Sequence, residues 1–237
     1  EIKIMEPFAK QCQCFNCEDC YQRNPIFGLL SKEELEIINT KRVEVSFRQN
    51  ETIYKQGMPL THMVVLRSGM GKIYIEGSKG RNLVLSYTKP FELNGGIGVF
   101  LDQIHHSSLL AATDCETCFI DINSFNQVTQ RNVKFMEAYL KHYSEKIRQT
   151  YYQFTVLTQK NMEARMAESI LYLNDQIFSD GAIKDISKQD LADFTAMSKE
   201  SAIRVLKEFK DEGYIAIEKQ DIHVRNVDLL RKIATLG

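Results

Sequence analysis

The chain begins with no basic segment leading into an apolar run, so no secretory signal peptide is expected. No apolar stretch approaches the roughly 18 to 20 residues that span a bilayer, which predicts no membrane segment and a cytoplasmic protein. Net charge is also scarce: 30 Lys plus Arg oppose 31 Asp plus Glu, a formal −1. The C-terminal third is more acidic still, with 11 basic against 14 acidic residues over positions 161–237. No global field draws nucleic acid to such a surface, so any DNA binding must rest on local placement. Internal repeats and low-complexity segments are absent. No nucleophile–base pair stands in a supporting context, and there is no phosphate-binding glycine loop or HExxH metal site, so an enzyme is not expected.

What is present is an ordinary soluble composition, 43% hydrophobic and 26% charged over 237 residues, enough for one or two domains. Residues 1–25 are polar and cysteine-rich, and Pro25 closes them. Six cysteines without a secretion signal predict a reducing compartment, where free thiols or metal ligands outnumber disulfides. From about 41 to 123, short alternating runs such as "VEVSF", "HMVVLRSGMGKIYIEG" and "CFIDI" are broken by Gly57, Gly69, Gly71, Gly77 and Gly80. That pattern predicts a mostly antiparallel β-domain over 26–130. Over 131–158 the period changes: Met136, Leu140, Tyr143, Ile147, Thr150, Phe154 and Leu157 alternate spacings of four and three. A heptad seam with one polar position, on a helix about 40 Å long, predicts a parallel coiled-coil dimer.

Residues 161–237 follow, beginning with the helical run "MEARMAESILYLNDQIF" and the turn signal Asp180-Gly181. Ser187 with Asp190 makes a capping-box start for a short helix carrying Leu191 and Phe194 inward. Thr195-Ala196-Met197 forms a bend, Ser198 caps a second helix, and the small Ala192 and Ala196 allow the two to approach. This is a helix-turn-helix pattern, and "YIAIEKQDIHV" reads as a hairpin wing. In "MSKESAIRVLKEFKDEG" Ala202, Ile203, Val205, Leu206 and Phe209 supply an apolar side. Glu200 and Arg204 stand one turn apart on the other, where Arg can pair with guanine O6 and N7 and Glu can accept from cytosine N4. Lys199, Ser198 and Ser201 flank them, suited to phosphate oxygens. Alone, Glu200 and Arg204 make only a surface ion pair; inside helix, turn, helix and wing, groove reading is the better account.

At these residues the chain resembles the catabolite-activator and fumarate–nitrate-regulator (CRP/FNR) superfamily of bacterial transcription regulators over nearly its whole length. "SKESAIRVLKEFKDEGYI" is similar to that family's recognition helix, S-[RK]-E-T-[VI]-x-R. "ETIYKQGMPLTHMVVLRSGMGKIYI" is similar to its β-roll entry, and "GGIGVF" to its phosphate cassette. The resemblance implies an α+β protein: an N-terminal β-roll (a cyclic-nucleotide-binding-like jelly roll), a long dimerisation helix, and a C-terminal winged helix-turn-helix. It implies a homodimer on a palindromic duplex, recognition helices about 34 Å apart, and RNA polymerase as a further partner. Ala196 departs from the glycine that family often has in the turn.

The sensed signal is less legible. Where the cyclic-nucleotide branch holds its phosphate with Glu and Arg–Ser, this chain has Gly96 and His105-His106-Ser107. Loss of the bidentate Arg contact argues against cyclic AMP. "CQCFNCEDC" supplies Cys12, Cys14, Cys17 and Cys20, ligand-like in spacing. With Cys118 near the fourth position, the set resembles the iron–sulfur ligands of the oxygen-sensing branch. Zinc, free thiols, buried thiols at Cys115 and Cys118, and direct thiol chemistry are alternatives. Haem is a third option, with His62, His105, His106, Met70 and the cysteines as axial candidates. The expectation is thus a regulator sensing a redox, gas (oxygen or nitric oxide) or small-molecule signal. A sensor or scaffold using the winged domain for protein contacts is the rival.

Overall fold

In the computed structural model, which describes residues 26–178 and 181–237, the chain forms two compact units. One takes residues 26–71 together with 88–145, and the other takes 72–87 together with the described residues of 146–237.

The first unit holds helix α1 (Lys32–Thr40) and strands β1 (Val43–Phe47), β2 (Thr52–Tyr54) and β3 (His62–Ser68). It also holds β6 (Leu93–Asn94), β7 (Ser108–Ala111), β8 (Cys115–Asp121) and helix α2 (Ile122–Arg131). Four of these strands form a sheet in the order β1-β8-β3-β6, with β1 and β8 antiparallel from Val43 opposite Phe119 to Phe47 opposite Cys115. Met63, Val64, Val65 and Leu66 of β3 are all buried, so this central strand is covered on both faces. Met63 and Val65 point into a core with Phe125, Val128 and Phe135. At Gly69, φ is +84° and an added Cβ would lie 2.2 Å from the Asp114 carbonyl, so only glycine fits that turn.

Two helices in this unit go beyond the β-roll read from sequence. Helix α1 opens on a capping box in which Ser31 and Glu34 exchange side-chain and backbone bonds. Helix α2 opens on Asp121, whose carboxylate accepts from the Ser124 N–H. Asn132 separates α2 from the long helix α3 (Val133–Gln159), which starts and ends within two residues of the expected span.

The second unit includes strands β4 (Gly71–Glu76) and β5 (Asn82–Thr88), helix α4 (Met162–Tyr172) and strand β9 (Ala182–Ile183). Helices α5 (Lys188–Thr195) and α6 (Lys199–Asp211) follow, then strands β10 (Ile215–Glu218) and β11 (Asp221–Val224) and helix α7 (Val227–Leu236). The hairpin β10–β11 is the expected wing, extended by β9 into a three-stranded sheet. Within this unit Lys72 is ion-paired to Asp190, and the Tyr87 ring meets Phe194 edge-on at 6.0 Å. No helix among the described residues is long and apolar enough to cross a membrane.

The expected seam of α3 is divided. Phe135, Tyr139 and Val156 are the buried face within the protomer. Met136, on the expected seam, is half-buried and packs against the protomer's own core, and the Tyr143 ring stacks on Tyr139 at 6.3 Å. Leu140 and Phe154 stay exposed at 48% and 68%, as do Val133 and Tyr151, while Ile147 and Leu157 are half-buried.

Candidate nucleic-acid interface

Helix α5 begins where its local chemistry directs. The Ser187 hydroxyl accepts from the Asp190 N–H at 3.0 Å, and the Asp190 carboxylate accepts from the Ser187 N–H at 3.1 Å. Leu191, Ala192 and Phe194 are buried beneath it, and the Arg165 guanidinium of α4 donates to the Thr195 carbonyl at 3.1 Å. The helix stops at Ala196, which is left-handed (φ 52°, ψ 39°) and donates its N–H to the Ala192 carbonyl. Ala192 is small because it is packed; Ala196 is exposed and is not, so its size serves the turn alone. An L-residue in this region costs about 1–2 kcal/mol, partly offset by the greater unfolded freedom of glycine. Ala196→Gly is therefore expected to stabilise the protein by about 0.5–1 kcal/mol in chemical denaturation; a loss of stability would contradict the turn geometry.

Helix α6 is capped by Ser198, whose hydroxyl accepts from the Ser201 N–H at 3.1 Å and lies 3.1 Å from the Ser201 hydroxyl. The two serines thus form the cap as well as flanking the groove face. Ala202, Val205, Leu206 and Phe209 are buried, whereas Lys199, Glu200, Arg204 and Lys207 are exposed. Among the described residues no ion pair joins Glu200 to Arg204, so the arginine fork is not occupied by its neighbour. Hydrogen bonds at the helix start and the nearby Lys199 ammonium hold the Glu200 carboxyl below its ordinary range, keeping it an acceptor. Ile203 corrects the sequence reading: it is 38% exposed and shares a face with Glu200 and Lys207.

The cassette residues do not form one cluster of like side chains. Gly96 has φ +76° and open space where a side chain would stand. His106 lies on the surface, 3.0 Å from the Asp102 carboxylate. His105 is 6% exposed and stacks on Tyr54 with ring centroids 4.0 Å apart; among the described residues its Nδ1 has no hydrogen-bond partner. Burial lowers its pKa to about 4, so it is neutral at pH 7, while the Ser107 side chain bonds to Tyr54. A depressed imidazole binds more protons unfolded than folded, so its contribution is complete above about pH 6.5 and is lost as pH falls towards 4. Wild type is expected to lose more stability between pH 7 and pH 5 than His105→Gln, as read by urea denaturation at both values. Equal losses would contradict this assignment.

Of the candidate metal ligands, Cys12, Cys14, Cys17 and Cys20 lie outside the described residues. Cys118 is 4% exposed on β8, with the Arg42 guanidinium 3.7 Å from its Sγ. Cys115 is 2% exposed, and burial pushes its thiol pKa up. Among the described residues no group of three or more His, Cys, Asp or Glu could hold a metal ion.

A β-roll followed by a winged helix-turn-helix with a free polar recognition face defines a DNA-binding transcription regulator. Two family models match: the Cyclic nucleotide-binding domain over residues 44–132 and the Crp-like helix-turn-helix domain over 164–233. The Fumarate nitrate reduction regulatory protein of Klebsiella oxytoca is 24% identical, with 99% of this chain and 96% of that relative covered. The Transcriptional regulatory protein btr of Bordetella pertussis is 22% identical, with 85% and 84% covered. The structure of FixK2 from Bradyrhizobium japonicum superposes with a TM-score of 0.75 at 19% identity, covering 83% of this chain and 98% of that one. At that identity the likeness is one of fold. The chain belongs to the CRP/FNR superfamily, and its relatives are regulators rather than enzymes.

Proposed function

We propose that the protein is a homodimeric, sequence-specific regulator of transcription whose β-roll senses a chemical signal and biases the placement of two recognition helices. One observation carries the groove assignment: Glu200 and Arg204 are exposed, unpaired with each other, and one turn apart at the capped end of α6. Lys199 and Lys207 supply phosphate contacts that the formal charge of the chain does not advertise. Dimerisation is supported by Val133, Leu140, Ile147 and Phe154, which recur every seven residues with three of the four exposed on a 27-residue helix. A cytoplasmic location and contact with RNA polymerase follow from this role.

The signal is a redox change, oxygen or nitric oxide, or a small molecule other than cyclic AMP. An open Gly96 supplies no carboxylate, the buried and neutral His105 supplies no cation, and the His106 ring is already engaged by Asp102. An iron–sulfur cluster would use Cys118 and draw its other ligands from Cys12, Cys14, Cys17 and Cys20. Zinc or haem would use parts of the same inventory.

Selection of duplexes from a random pool tests the regulator reading. The expected product is a palindrome bound with an affinity that falls steeply as salt rises. Salt-insensitive, unselective binding in every redox state would favour a scaffold that uses the wing for protein contacts.

A further inference from the structure

Ile203 is the one apolar side chain of α6 left substantially exposed; Ala202, Val205, Leu206 and Phe209 are each 3% exposed or less. A lone surface isoleucine is commonplace, so exposure alone means little. Its position is more specific. It lies three residues after Glu200, next to Arg204 and four before Lys207, all exposed, in the N-terminal half of the helix. Helix propensity gives no reason for it, because a β-branched residue is a poorer helix former than the Lys, Glu or Arg around it. The core does not claim it either.

From the DNA-binding reading of α6 on which this rests, we infer that Ile203 is a specificity-determining residue that reads the C5-methyl group of a thymine. The major groove presents one apolar feature, and that methyl is it. Glu200 and Ile203 are about 4.5 Å apart along the helix axis, comparable with the roughly 3.4 Å rise between base pairs. Ile203 therefore addresses a base pair neighbouring those met by Glu200 and Arg204. Covering one methyl group is worth about fourfold in affinity per half-site.

The test replaces thymine by uracil, which removes the methyl and keeps the hydrogen-bonding edge, one position at a time in the selected operator. Wild type is expected to lose about fourfold at one thymine per half-site. Ile203→Ala should bind the thymine and uracil operators alike and match the wild-type affinity for the uracil form. Ile203→Val, which keeps the branched methyls, should retain most of the discrimination. A flat uracil scan on a duplex that wild type still binds selectively would overturn this inference and leave the DNA-binding reading standing. So would an undiminished methyl preference in Ile203→Ala. Absence of any selective, salt-sensitive binding by wild type would overturn both.

Discussion

Arg204→Ala is expected to lose about 1–3 kcal/mol of discrimination at one base pair per half-site, hence roughly 2–6 kcal/mol over a two-fold operator. The size follows from what the side chain is free to do. Its fork of donors is exposed and not ion-paired to Glu200, on a helix whose start is fixed by the Ser198 cap. Binding to unrelated duplexes should change little, because a base contact adds nothing where the base is wrong. Thermal stability should also hold, since the residue contributes nothing to the buried face of α6. Lys199→Ala makes the contrast: all sequences should weaken similarly and the dependence on salt should become shallower, as expected for one lost phosphate contact. Selection experiments on both variants at two salt concentrations separate the two behaviours. An unchanged operator preference in Arg204→Ala would refute the groove assignment.

Leu140→Asp combined with Ile147→Asp is expected to yield monomers in analytical ultracentrifugation. Two carboxylates per chain would face two more across the seam, desolvated and without partners, which outweighs what the remaining apolar positions supply. Leu140 is 48% exposed in the single chain, and the protomer's own core uses Phe135 and Tyr139 on an adjacent stripe. Each protomer should therefore keep its fold. Once the two recognition helices are no longer linked, affinity for the palindrome should fall on the order of a hundredfold or more, while a single half-site is bound as before. A dimer that persists in the double variant would move the interface off α3.

Much of this was legible locally. The Ser187–Asp190 box and the Ser198 cap are contests between a side chain and the backbone within four residues, so sequence spacing carries them. The same signal, Ser31 with Glu34, marks the start of α1, an element that β-alternation alone does not reveal. Ile203 was harder: on a helical wheel it lies about 100° from Ala202, at the edge of the apolar arc, and only packing decides how far the core reaches. Alanine at 196 similarly has two readings, close packing or a left-handed turn, and its φ of 52° separates them. Lys72 with Asp190 and Tyr87 with Phe194 are pairs more than a hundred residues apart, which no local pattern records. On α3, two apolar stripes one position apart overlap in the heptad count, and Met136 lies on the expected seam while also packing on the protomer's own core.

Guanine-N7 methylation interference on the selected operator tests the central claim most directly, because that atom lies on the floor of the major groove. Two patches of interference, symmetric about the operator centre and about 10 base pairs apart, are expected for wild type, with the Arg204-dependent guanine silent in Arg204→Ala. A single patch, or interference confined to adenine N3 in the minor groove, would contradict a pair of α6 helices seated in successive major grooves.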